Sequence, residues 1–261
     1  MIKLAANLTM LYNEVDFLDR FDAAAKSGFT GVEYLFPYAY PKEQLAERLQ
    51  RNRLVQVLHN LPAGDWAGGD RGVACQPARV GEFQDGVGKA IDYARALGCK
   101  QVNCLAGTAP QGVDPEQVRA TFVANLRFAA ERLGAAGIRL LIEPINTFDI
   151  PGFFLSRTRQ ALDVIRDVGS KNLFLQYDIY HMQRMEGELA NTIKAHLPQI
   201  AHIQLADNPG RNEPGTGEIN YRFLFGFIDS LGYDGWIGCE YKPKAATVDG
   251  LAWRAAHGLR S

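Results

Sequence analysis

The 261-residue sequence has no apolar run approaching the ~20 residues that cross a bilayer as a helix, so a helical membrane span is not expected. It has no basic tract, and its formal net charge is −1, which argues against a phosphate-tracking nucleic-acid surface. The first seven residues, Met1 to Asn7, are too short and mixed for a signal peptide, so a cytoplasmic protein is expected. Cysteine is sparse: Cys75, Cys99, Cys104 and Cys239 form no Cys-x-x-Cys pair and read as buried free thiols rather than a zinc site. A dinucleotide fingerprint after the first strand is also missing. The nearest string, Gly215-Thr216-Gly217-Glu218-Ile219-Asn220, falls late in the chain and lacks the third glycine, so no nucleotide cofactor is expected.

What remains is an ordinary globular balance, 47% apolar and 22% charged, with ample material for a core. Short apolar runs alternate with segments of helical periodicity throughout. Strands are expected over 3–8, 31–35, 55–60, 101–106, 139–146, 173–179, 200–206 and 235–241. Helices are expected over 16–27, 41–51, 80–97, 114–135, 158–168, 187–196, 221–231 and 248–257, with Gly134 a possible break in the fourth. Eight such pairs in 261 residues are about 33 residues each, which fits a (β/α)8 TIM barrel forming a single α/β domain over 1–261. A doubly wound open sheet is the rival architecture.

The most informative stretch is Arg139-Leu140-Leu141-Ile142-Glu143-Pro144. An apolar strand runs into a carboxylate, and Pro144 discourages pairing beyond it. Burying that carboxylate costs several kcal/mol unless a cation, a proton or a set of donors meets it. Barrels carry their chemistry at the carboxyl ends of the strands. Those ends are Glu143, Asp178, Gln204 with Asp207 behind it, and Glu240, spaced 35, 26 and 36 residues apart. All-oxygen donors converging from successive strands suit a hard divalent ion, Mg²⁺ or Mn²⁺. The plain alternative is that each is an ordinary polar residue paired with Lys or Arg.

Around them, His59 ends the third strand, His181 follows Asp178, and Arg211 sits in a Gly- and Pro-rich loop where it would clamp a substrate carboxylate. Trp66 and Phe36 would wall a pocket, and Asp149 follows the fifth strand. Glu143 and Glu240, on strands five and eight, suit opposite sides of a small molecule. One carboxylate removes a proton beside a carbonyl, and the other, as the acid, returns one to the adjacent carbon. A divalent ion would stabilise the enediolate between the two steps.

The strings His59-Asn60-Leu61-Pro62-Ala63-Gly64-Asp65-Trp66, Leu141-Ile142-Glu143-Pro144-Ile145-Asn146, Gln176-Tyr177-Asp178-Ile179-Tyr180-His181 and Gly238-Cys239-Glu240-Tyr241-Lys242-Pro243 are specific. Through them, and over nearly its whole length, the chain resembles the hydroxypyruvate isomerase group of the xylose isomerase-like TIM-barrel superfamily. The resemblance implies an aldose–ketose type isomerisation interconverting hydroxypyruvate and 2-hydroxy-3-oxopropanoate (tartronate semialdehyde), within glyoxylate metabolism. It implies Glu143 and Glu240 as the proton-transfer pair, and a divalent metal on Glu143, Asp178, Gln204 and Glu240. His59, His181, Arg211 and Trp66 are the expected substrate-binding residues. The ketose 3-epimerases of the superfamily carry His where Gln204 stands, which separates this chain from them. The alternatives are a 2-oxo-tetronate isomerase, one carbon longer in substrate, and, further off, an epimerase or a metal-dependent hydrolase. No nucleic-acid or membrane partner is expected; exposed apolar residues on outer helices would be the surface for a homo-oligomer.

Overall fold

The computed structural model describes residues 2–259; residues 1, 260 and 261 of the expected domain lie outside the described residues. Eight strands form one closed barrel in chain order: β1 Lys3–Asn7, β2 Gly31–Glu33, β3 Val55–Asn60, β4 Gln101–Cys104, β5 Arg139–Ile142, β6 Leu173–Asp178, β7 Ile200–Leu205 and β8 Trp236–Cys239. Every neighbouring pair is parallel. The barrel closes where β1 pairs β8, from Lys3 opposite Trp236 to Ala6 opposite Cys239. Closure removes both sheet edges and excludes the open doubly wound sheet.

The helices are α1 Arg20–Lys26, α2 Lys42–Asn52, α3 Val80–Leu97, α4 Pro115–Ala135, α5 Thr158–Val168, α6 Ile179–Met185, α7 Leu189–His196, α8 Tyr221–Ser230, α9 Thr247–Gly250 and α10 Trp253–Ala256. Their apolar faces pack on the outside of the barrel in one continuous core, which holds Phe21, Leu45, Val87, Phe122, Leu126, Val164 and Phe225. None of the helices among the described residues is long and apolar enough to cross a membrane. All four cysteines are buried and free.

Several boundaries move from the expected ones for physical reasons. The expected helix over 16–27 is a 3-10 turn, Phe17–Asp19, followed by α1. Pro41 stands just before α2 as its N-cap. Gly134 does not break α4, which runs to Ala135 and is capped at its start by the Asp114 carboxylate on the Glu116 amide. The helix expected from 187 begins at Leu189, because Gly187 and Glu188 both adopt left-handed backbone angles, φ 68° and 50°. The expected closing helix is two separate turns, α9 and α10. An unexpected helix, α6, begins directly after β6, where Asp178 accepts from the Tyr180 and His181 amides as its N-cap.

Two layers fill the barrel interior. A small apolar cluster of Ala5, Val57, Leu58 and Leu141, flanked by Phe174, Ala201 and Trp236, closes the amino-terminal half. Alternation then decides what stands above it. Asn7 is on the face of Ala5, Glu143 on that of Leu141, Gln176 and Asp178 on that of Phe174, and Gly238 and Glu240 on that of Trp236. The same face that plugs the barrel below is polar above.

Candidate active site

Strands β5 and β8 end at Ile142 and Cys239, so Glu143 and Glu240 each stand one residue beyond the last paired position. Both are buried, 4% and 7% exposed. One oxygen or nitrogen each from Glu143, Asp178, His181 and Glu240 lies within 4.8 Å of all the others. The expected proton-transfer pair is therefore brought face to face across the carboxyl-terminal mouth.

Glu143 accepts from Asn103 Nδ2 at 3.0 Å. Burial, then the charges of Glu240 and Asp178, hold its carboxyl well above the usual carboxylate range. Glu240 accepts from Arg211 Nη2 at 2.6 Å and Asn7 Nδ2 at 3.2 Å. Its carboxyl is pushed up to about 7, because burial and the charges of Asp178 and Glu33 outweigh the pull of Arg211. Asp178 spends Oδ1 on the two α6 amides, at 2.7 and 3.2 Å, while its buried Oδ2 has no partner. Burial raises this carboxyl too.

His181 occupies the same cluster, its Nε2 3.9 Å from Glu143 and 3.8 Å from Asp178. Burial, followed by the charges of Arg211 and Arg184, lowers its pKa well below the ordinary value, so the ring is neutral. Asn146 decides the tautomer. Its Oδ1 accepts from the Phe148 and Asp149 amides, which turns its Nδ2 toward His181 Nδ1 at 2.6 Å. Nδ1 must then accept, and the ring proton sits on Nε2, facing the carboxylates as a donor.

Arg211 is presented by the loop after β7. That loop winds round Asp207, whose carboxylate accepts from the amides of Asn208, Gly215, Gly217 and Ile219. A side chain at Gly217 would meet the Asn208 carbonyl at 2.0 Å, which explains the glycine-rich string there. Arg211, itself in a left-handed conformation, lies over the Tyr180 ring at 5.2 Å, with Asp149 at 3.8 Å. Burial opposes its charge, but Glu240, Asp178 and Asp149 more than offset this. Its Nε has no partner.

A cavity of about 110 Å³ opens here, lined by Glu143, Glu240, His181, Arg211, Gln176, Asn60 and Trp66 among polar and amphipathic groups. Met10, Leu35, Leu105, Ile145 and Ile150 supply its apolar wall. Trp66 packs against Phe36, ring centroids 5.1 Å apart, with the Arg71 guanidinium 4.5 Å over its face. His59 is not on the wall. It is fully buried behind Asn60, its Nδ1 3.1 Å from the Asn60 carbonyl and its Nε2 without a partner, and burial lowers its pKa to about 4. Gln204 is also off the wall: Nε2 donates to Glu33 at 2.7 Å, and Oε1 accepts from Gln176 at 2.6 Å. One lone pair of that oxygen stays uncommitted. Near the site, Glu186 accepts from the Thr158 amide and Glu213 from the Lys244 amide, both structural ties.

The donor set fits a divalent cation. Three buried carboxylates meet one guanidinium and a neutral imidazole, and Asp178 Oδ2 is an orphaned buried acceptor. An anionic substrate would add a further negative charge to a site already short of positive ones.

A sequence model of the family described as Xylose isomerase-like TIM barrel matches residues 21–257. The chain belongs to that family. It is 60% identical over 253 residues to the hydroxypyruvate isomerase of Escherichia coli K12, covering 97% of this chain and 98% of that one. It is 48% identical, over 97% of both chains, to the 2-oxo-tetronate isomerase of Cupriavidus necator. A crystal structure described as AP endonuclease, family 2, from Brucella melitensis superposes with a TM-score of 0.97 at 43% identity, covering both chains fully. The likeness at this level to curated isomerases makes this family member an isomerase as well.

Sequence reasoning did not find Asn7, Glu33, Asn103, Asn146 and His202, all buried in or beneath the site. Glu33 had a usable signal: it interrupts the apolar run Gly31-Val32-Glu33-Tyr34-Leu35 much as Glu143 ends its own.

Proposed function

We propose that the protein interconverts hydroxypyruvate and 2-hydroxy-3-oxopropanoate by proton transfer between adjacent carbons, with Glu143 and Glu240 as the acid–base pair. The observation that carries this reading is the placement of both carboxyls, an oxygen of each within 4.8 Å of the other, on the wall of one cavity of about 110 Å³. That is the room of about four waters at ~30 Å³ each, on the scale of a three-carbon oxo-acid and tight for a four-carbon one. The higher identity to a hydroxypyruvate isomerase than to a 2-oxo-tetronate isomerase points the same way.

In this reading Arg211, which lines the cavity and has a free Nε–H, binds the substrate carboxylate. One carboxylate of the pair takes a proton from C3, the C3–H electrons form the C2–C3 double bond, and the negative charge that develops on O2 is met by the proton of the neighbouring O3 hydroxyl. The other carboxyl then delivers a proton to C2 while the O3 lone pair, its proton already passed to O2, closes the C3 aldehyde. The raised pKa of both groups suits this exchange, since one must be protonated while the other is not. His181 Nε2–H donates to the substrate oxygen that gains negative charge. Glu143, Asp178 and Glu240 would hold a divalent ion, Mg²⁺ or Mn²⁺, with the open lone pair of Gln204 within the expected set. When bound, such an ion supplies Lewis-acid stabilisation of the enediolate oxygens. The small cavity does not favour a nucleotide-sized substrate, since pockets for larger ligands begin at ~300 Å³.

The test is turnover of a panel of three- and four-carbon oxo-acids. The reading expects kcat/KM for hydroxypyruvate to exceed that for 2-oxo-tetronate by about tenfold or more. Preference for the four-carbon acid would replace it with the sister reaction, and turnover of neither would end it.

A further inference from the structure

We infer that Glu33, which does not touch the cavity, is a positioning residue that fixes the Glu240 carboxyl through Asn7. The inference rests on the acid–base role proposed for Glu240. Glu33 ends β2 inside the barrel and is 1% exposed. Its Oε1 accepts from Asn7 Nδ2 at 2.9 Å and from Gln204 Nε2 at 2.7 Å. Its Oε2 lies 2.7 Å from His202 Nε2, a hydrogen bond whichever of the two carries the proton. Three strands, β1, β2 and β7, therefore meet at this one side chain.

The connection to Glu240 is a single amide. Asn7 Nδ2 has two protons, and they go to Glu33 Oε1 and Glu240 Oε1. The amide is not free to flip, because its Oδ1 already accepts from the Thr9 amide at 3.1 Å. Arg211 holds the other oxygen of Glu240. Without Asn7 the carboxyl would keep only that contact and could turn about it. The chain also makes room for Glu33 where it matters. A Cβ on Gly238 would lie 2.2–2.5 Å from the Glu33 carboxyl atoms, so β8 passes as bare backbone two residues before Glu240.

The isosteric variant separates position from charge. In Glu33→Gln the amide oxygen still accepts from Asn7 and Gln204, and its NH2 faces His202 Nε2. His202 Nδ1 has no partner, so the ring can carry its proton there and accept at Nε2. Glu33→Ala removes every one of these contacts.

Steady-state kinetics of the full-length protein with hydroxypyruvate, and crystal structures of wild type and Glu33→Ala, test this. Glu33→Ala is expected to lower kcat about 100-fold with KM within about threefold, the signature of a displaced reacting group. Glu33→Gln should recover most of the loss, and Asn7→Ala should reproduce it. The double variant Glu33→Ala/Asn7→Ala should be no worse than either single one, since the path runs through Asn7. Wild-type kcat in Glu33→Ala, additive losses in the double variant, or a Glu33→Gln as impaired as the alanine variant would overturn the inference. Should Glu33→Ala not fold, the kinetics and structure of Asn7→Ala decide the matter in the same way. If the wild type does not turn over hydroxypyruvate, the reaction reading fails by itself. The crystal structures still decide this point: a turned Glu240 carboxyl supports it, and an unmoved one refutes it.

Discussion

The two halves of the barrel interior are built on the same strands and differ in nearly every physical respect. Below, Ala5, Val57, Leu58 and Leu141 form a dry plug that asks nothing of its neighbours but shape. Two to four residues further along the barrel-facing sides of the strands stand Asn7, Glu143, Asp178 and Glu240, buried as deeply yet polar, with Asp178 Oδ2, Asn103 Oδ1 and Gln176 Oε1 left without partners. Burial in the lower half stabilises the fold, whereas in the upper half it raises carboxyl pKa values and leaves acceptors open. The barrel thus keeps stability and chemistry a few ångströms apart on shared strands.

The sharpest way to separate the halves is Glu143→Gln or Glu240→Gln, each of which keeps side-chain size and removes the proton site. Either should lower kcat about a thousandfold while leaving the circular-dichroism spectrum unchanged. Wild-type turnover in one of them would remove that residue from the pair.

Next is the pH dependence of stability. Glu240 rises from 4.5 to about 7 on folding, so the native state holds its proton over a range where the unfolded chain has lost it. Stability from this group is therefore greatest below pH 4.5 and declines as pH rises toward 7, by about 3 kcal/mol in all. The Tm difference between Glu240→Gln and wild type in chelator-treated protein should shift in favour of the variant by several degrees between pH 5 and 8. Added Mn²⁺ should recover wild-type Tm at the higher pH. A difference that stays constant with pH would contradict the buried-carboxyl account.

In the lower half, Val57→Ala should destabilise the fold by about 2 kcal/mol, measured by denaturant unfolding, with kcat within about twofold of wild type. A large loss of kcat there would mean that the two layers are mechanically coupled. The smallest effect is expected from Asn103→Ala, which removes one donor from Glu143 and should cost about tenfold in kcat.

How much of this was legible in the sequence follows the same division. Apolar runs ending in a carboxylate located β5 and β8, and spacing by one or two β/α units aligned Glu143, Asp178 and Glu240 on one rim. The amides that hold those carboxyls were not legible. Asn7 ends β1 and Asn103 stands one residue before the end of β4, like any polar residue in a short strand, and their partners lie 233 and 40 positions away. Helix α6 was hidden because Ile179 continues the apolar pattern of β6, although Asp178 at its head is a standard N-cap residue. His59 illustrates the converse: a strand-end histidine expected in the site is turned into the wall behind Asn60. Pattern reports which face a residue shares, but not which of its neighbours its polar atoms choose.

The most direct test of proton transfer between Glu143 and Glu240 is NMR of the wild-type reaction with hydroxypyruvate in deuterated water. The account predicts solvent deuterium at C2 of 2-hydroxy-3-oxopropanoate and at C3 of recovered hydroxypyruvate, with both signals lost in Glu143→Gln. Product that carries the original C3 hydrogen to C2 with no solvent label would mean a direct hydride shift and would contradict it.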